Sequence, residues 1–177
     1  MNIYDLRSDY DNFKFFVFNE DDNYSTDYLN FKGQSLSENW NPLSFVLFKD
    51  KRKKRDLRRE DFDASCYFEG ILIVNEKLKS IFETHLKNLI EILDVKTEIG
   101  KYYFINVVNV IPALKDEENL TVEEIMEMVR KNKYVFDEHL VENQYIFRDK
   151  CVPSTYFVSE NFVELMKSND IKGLSYE

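Results

Sequence analysis

The ten residues Tyr102–Ile111, YYFINVVNVI, constrain this chain more than any other segment. They are mostly aromatic and β-branched, and they stay apolar on both faces of an extended strand, whereas a strand with one wet face alternates. Such a run belongs in the middle of a sheet with cover on both sides.

Flanking strands are legible around it. Met1–Leu6 (MNIYDL) opens the chain as one, Phe13–Phe18 (FKFFVF) follows, and Ser44–Phe48 (SFVLF) starts after Pro42. Tyr67–Val74 (YFEGILIV) reads as a fourth, and Tyr134–Phe136, Gln144–Phe147 and Tyr156–Val158 as short ones. Three helices are expected. Asn75 can cap one running to about Leu89, because Leu78, Ile81, Phe82, His85, Leu86 and Leu89 fall on one continuous helical face. Thr121 and Glu124 make a capping box for a second, carrying Ile125, Met126, Met128 and Val129 and ending near Asn132. Ser159 can cap the last, through Phe162, Val163, Leu165 and Met166, and Gly173 suits the turn into Leu174–Tyr176. The expectation is an α+β single domain, residues 1–177, with a mixed, mainly antiparallel sheet and about three helices packed on it. With 15 Phe and 11 Tyr, its core draws heavily on large flat side chains, and no internal repeat or linker interrupts it.

Catalysis finds little to work with. The four glycines form no P-loop and no G-x-G-x-x-G, and neither G-x-S-x-G nor H-E-x-x-H occurs. Two histidines, His85 on or beside an apolar helix stripe and His139 in a charged stretch, exclude a His-rich metal site. Cys66 and Cys151 are far apart and read as reduced thiols rather than a disulfide or metal pair. Asp61 with Asp63, and Asp116 with Glu117 and Glu118, could pair for acid–base chemistry, but 33 acidic residues produce such neighbours by chance. Glu118, Glu123 and Glu124 sit near the positive end of the second helix and are accounted for by its dipole. No catalytic, metal-binding or cofactor-binding residue is assigned.

Partners are constrained by charge. A net charge of −9 disfavours nucleic acid as a whole-surface partner and favours a basic protein, while also serving simple solubility. Lys49–Arg59 (KDKRKKRDLRR) holds eight of the 24 basic residues; it reads as a solvated loop, since no aromatics interleave to stack on bases, with a nucleic-acid patch as the alternative. The acidic, Asn-rich stretch 19–30 reads as an exposed loop, and its Glu20, Asp21 and Asp22 are candidate partner contacts. Trp40, the single tryptophan, is either an interface anchor or a residue that pins a loop onto the core. Met1–Phe13 carries Asp5, Arg7, Asp9 and Asp11 and no apolar stretch, which argues against a secretory signal, and nothing approaches a membrane span, so a cytoplasmic location is expected.

Several segments together resemble a known family. They are DF at Asp61–Phe62, ILIVNEKLKSIFETHL (71–86), YYFINVVNVIPALKDEE (102–118), IFR (146–148) and TYFVSENFVELMKSNDIKGLSY (155–176), with the opening MNIYDL. The pattern is similar to that of bacterial immunity proteins of polymorphic toxin systems, in the family numbered eleven, formerly a domain of unknown function. It covers the C-terminal two-thirds, dividing the chain into variable N-terminal strands and charged loops (1–60) and a family-like core (61–177). The resemblance implies a protein that binds and neutralises a cognate bacterial toxin by contact and brings no catalytic residues with it. An acidic surface would suit a basic toxin such as a nuclease. The competing expectation is another non-enzymatic interaction module from a mobile element or phage-defence locus.

Overall fold

The computed structural model describes residues 2–19, 31–49, 58–66 and 70–177. In chain order the strands are β1 (Ile3–Ser8), β2 (Phe16–Phe18), β3 (Ser44–Leu47), β4 (Ala64–Cys66), β5 (Leu72–Asn75), β6 (Ile90–Asp94), β7 (Lys96–Thr97), β8 (Tyr102–Val107), β9 (Val110–Ile111), β10 (Ile146–Asp149), β11 (Phe157–Ser159) and β12 (Leu174–Tyr176). The helices are α1 (Glu76–His85), α2 (Val122–Lys131), the single turn α3 (Glu138–Val141) and α4 (Glu160–Ser168). The fold is α+β, and its strands are dealt into three mostly antiparallel sheets, ordered β4-β5-β8-β6, β12-β1-β11-β10-β9 and β2-β3-β7.

The aromatic run does sit inside a sheet, with β8 hydrogen-bonded between β5 and β6. It does not continue unbroken to Ile111. At Val108 and Asn109 both backbone amides donate to the Leu89 carbonyl, and the Asn109 side chain donates to Gln144 Oε1 and the Ile146 carbonyl. These bonds turn the chain out of one sheet into the next, where β9 pairs parallel with β10. The run is apolar throughout because it serves two sheets.

Burial follows the strand alternation. On β5, Leu72 and Val74 enter a core with α1, α4 and β11, while Ile73 enters an aromatic core with Phe16, Phe31, Phe45 and Phe104. On β10 and β11, Ile146 and Val158 face the first core, whereas Phe147 and Phe157 face a third, with Val141 and Val152, against which Ile125 of α2 packs. The β5-β8 sheet thus carries the aromatic core on one face, shared with β2 and β3, and the first core on the other, shared with α1 and α4, while β10 and β11 carry the first core on one face and the third core on the other. The first strand is closed between the last ones, Asp5 opposite Phe157 and Leu6 opposite Tyr176.

Several local expectations needed correction, among them the reach of α1, which ends at His85 rather than near Leu89. Of Tyr67–Val74, residues 67–69 lie outside the described residues, and the rest is not all strand: Gly70 takes φ 84°, a left-handed conformation suited to glycine, and β5 begins only at Leu72, pairing antiparallel with β4. In Phe13–Phe18 only β2 is paired along its length, and Phe13 forms a single bridge to Glu60. Tyr134–Phe136 contributes one bridge, Phe136 to Leu114. His85 is exposed, so the buried face of α1 is Leu78 and Phe82, continued by Leu86. The caps form where expected at Asn75, which accepts from Leu78 N, and at the Thr121–Glu124 box, but Ser159 occupies its N-cap position without a side-chain bond. No described helix is long and apolar enough to cross a membrane.

Candidate functional site

Of the partner contacts suggested by the sequence, Trp40 alone falls within the described residues. Glu20, Asp21 and Asp22 lie outside the described residues, as does the basic stretch from Asp50 to Leu57. Trp40 is half-buried: its indole stacks on Phe104 at 5.4 Å, nearly parallel, and its Nε1 donates to the Asp94 carbonyl at 2.7 Å. Both contacts tie the loop before β3 to the central sheet. Nearby, Glu91 accepts from Ser35 Oγ, Leu36 N and Asn106 Nδ2. Partial burial works against its charge, but these donors outweigh it and hold its carboxyl below the usual range.

The carboxylates are accounted for by structure. Asp61 is exposed and pairs with Lys14 at 2.5 Å. Asp63 accepts from Asn75 Nδ2 and Lys172 N, joining the start of α1 to the segment before β12. Glu117, Asp149 and Cys151 place their ligand atoms within 4.8 Å of one another, the one such cluster among the described residues. Asp149 is fully buried, with Oδ2 accepting from Ala113 N and Leu114 N and Oδ1 from Cys151 N. A cation there would compete with three backbone donors. Burial, then the charge of Asp149, raises the Glu117 pKa, and burial likewise raises that of the Cys151 thiol. The cluster fastens the turn after β10 and needs no ion to do so.

The other thiol is buried more deeply. Cys66 is buried and shares a 2.6 Å hydrogen bond with the Tyr156 hydroxyl. Burial pushes it up to about 12, against the pull of that bond, so it carries no thiolate at neutral pH. Both cysteines are free, and both histidines are exposed.

What sequence reasoning missed is that α2, though expected as a helix, leaves much of its apolar face uncovered. Its apolar residues Val122, Ile125, Met126 and Val129 occupy one broad arc, which the i, i+3, i+4, i+7 pattern would assign to a core. None of its residues is buried. Ile125 rests against Phe147 and its neighbours, but Val122 and Met126 are 68% and 66% exposed and Val129 is exposed beside them. The helix covers the third core with one edge of its arc and presents the remainder to solvent. Such a surface is what a partner would cover. The signal was present in the width of the arc, greater than one line of contact can bury, though the sequence does not say which edge faces in.

A family model described as an immunity protein family, Imm11, matches residues 26–177. The match extends the family likeness upstream of Asp61, into a stretch where the sequence resemblance had no segment. No curated protein matches the chain.

Proposed function

The chain belongs to the Imm11 family of immunity proteins, and on that ground we propose that it binds a cognate bacterial toxin and neutralises it by direct protein contact, without catalysis. The carrying observation is the family match over residues 26–177. Three features support contact rather than chemistry. The carboxylates of Asp61, Asp63 and Asp149 are engaged in a salt bridge or in hydrogen bonds from backbone amides. The buried thiol is protonated. A broad apolar face on α2 is left open.

Action would take place in the cytoplasm, where a toxin made by the same cell or delivered by a competitor reaches its target. The net charge of −9, to which Glu20, Asp21 and Asp22 contribute, would attract a basic toxin over several ångströms of solvent and speed encounter. Nucleic acid is not part of this reading. The test is co-expression with the product of the neighbouring toxin gene: growth is restored, and the two proteins co-elute as a stoichiometric complex. Toxicity that persists at equal expression would contradict it.

A further inference from the structure

Beside α2 runs a cleft of about 400 Å³, closed on its other side by the turn that follows β10. Its walls are apolar: Ile125, Met126 and Val129 from the helix, Val152 and Pro153 from the turn. The turn is rigid. Arg148 donates to the Pro153 and Ser154 carbonyls, and Asp149 holds the Cys151 amide, so the cleft is preformed. Its charged lining residues are Lys32 and Arg130, and neither side chain has an ion pair among the described residues. Cys151, at the edge, is held neutral by burial and by the adjoining carboxylates. Glu127, on the same helix, is engaged by Lys131 and does not line the cleft.

An apolar trough with two such cations at its rim discriminates between partners. A basic segment would bring like charges together, whereas an apolar side chain flanked by a carboxylate would fill the trough and pair with Lys32 or Arg130. This local preference is compatible with a net acidic surface, because charges more than about 10 Å apart are screened at moderate salt while those in contact are not. Resting on the immunity reading above, we propose that the cleft between α2 and the turn 151–154 is the toxin-docking site. Its occupant is a segment of the toxin that inserts one apolar side chain and presents an adjacent Asp or Glu.

The test uses the full-length protein and the toxin it neutralises in the growth-rescue assay, with affinity measured by titration calorimetry. Met126→Asp alters a side chain 66% exposed, so its melting curve should match that of the unaltered protein while Kd rises at least about tenfold. The double charge reversal Lys32→Glu with Arg130→Glu should weaken binding by a similar factor, and Met126→Ala gives a milder loss should the Asp variant fold poorly. Binding unchanged by Met126→Asp in a protein that still rescues growth overturns the docking site and leaves the immunity reading standing. Binding tightened by the charge reversal overturns the acidic occupant. A concentration-dependent dimer abolished by Met126→Asp, with toxin affinity intact, would assign the cleft to a second copy instead. Absence of rescue by the unaltered protein overturns the functional reading, and this inference with it.

Discussion

Arg148 is the residue on which the most depends locally. It is fully buried, yet it has no carboxylate partner among the described residues; instead Nε donates to the Val107 carbonyl and Nη1 to those of Pro153 and Ser154, with the guanidinium 5.5 Å from the Tyr156 ring. Burial pulls its pKa down to about 10, so it remains charged at neutral pH. Arg148→Met should destabilise the fold by about 2–4 kcal/mol in urea titrations, since buried carbonyls lose their donor while the cost of burying a charge is relieved. Cys66 yields a pH prediction. Its ordinary value is 9.0 and its folded value about 12, so the folded state holds a proton that the unfolded state releases. The contribution is therefore complete below pH 9 and is lost as pH rises toward 12, at up to about 1.4 kcal/mol per pH unit. Between pH 8 and pH 10 the urea midpoint should fall, and Cys66→Ala should fall less, by about 1 kcal/mol. The buried Tyr156, its hydroxyl also raised by burial, keeps part of the decline in both proteins.

Elements show where the sequence was readable and where it was not. Asn75, Thr121 and Glu124 were legible because capping is a local interaction between residues three apart. The division of Tyr102–Ile111 between two sheets was not, because it depends on Leu89 and Ile146, distant in sequence. Strand β6 went unread, since the sequence reading carried the helix to about Leu89, over the turn residues 86–89, and periodicity cannot separate a five-residue apolar run from the end of a helix. The face of α2 was recognised as apolar but not as open, because orientation is set by the third core. Two predictions belong to this scale. Thr121→Ala should cost α2 about 1 kcal/mol, seen as faster hydrogen exchange over residues 122–131 with little change in global melting, as no residue of α2 is buried. Gly173 has φ 105°, and a Cβ there would lie 2.2 Å from the Ala64 carbonyl oxygen, so Gly173→Ala should detach β12 and cost about 3 kcal/mol or more in chemical unfolding.

For the molecule as a whole, three sheets and their packed helices support one incompletely covered helix, a form suited to presenting one surface to a partner. The field of the net charge of −9 adds a kinetic expectation: association with a basic toxin should slow markedly as ionic strength rises past about 0.1 M, where screening sets in at about 10 Å, while dissociation changes little. A rate insensitive to salt would remove charge steering from the account. The central claim, neutralisation by contact, is tested most directly by mixing purified protein and toxin and titrating residual toxin activity against the molar ratio. The account predicts a linear loss of activity that reaches completion at a fixed stoichiometric ratio, with the toxin recovered intact from the complex on denaturation. Inhibition by a small fraction of an equivalent, or a toxin recovered cleaved or modified, would contradict it and make the protein an enzyme.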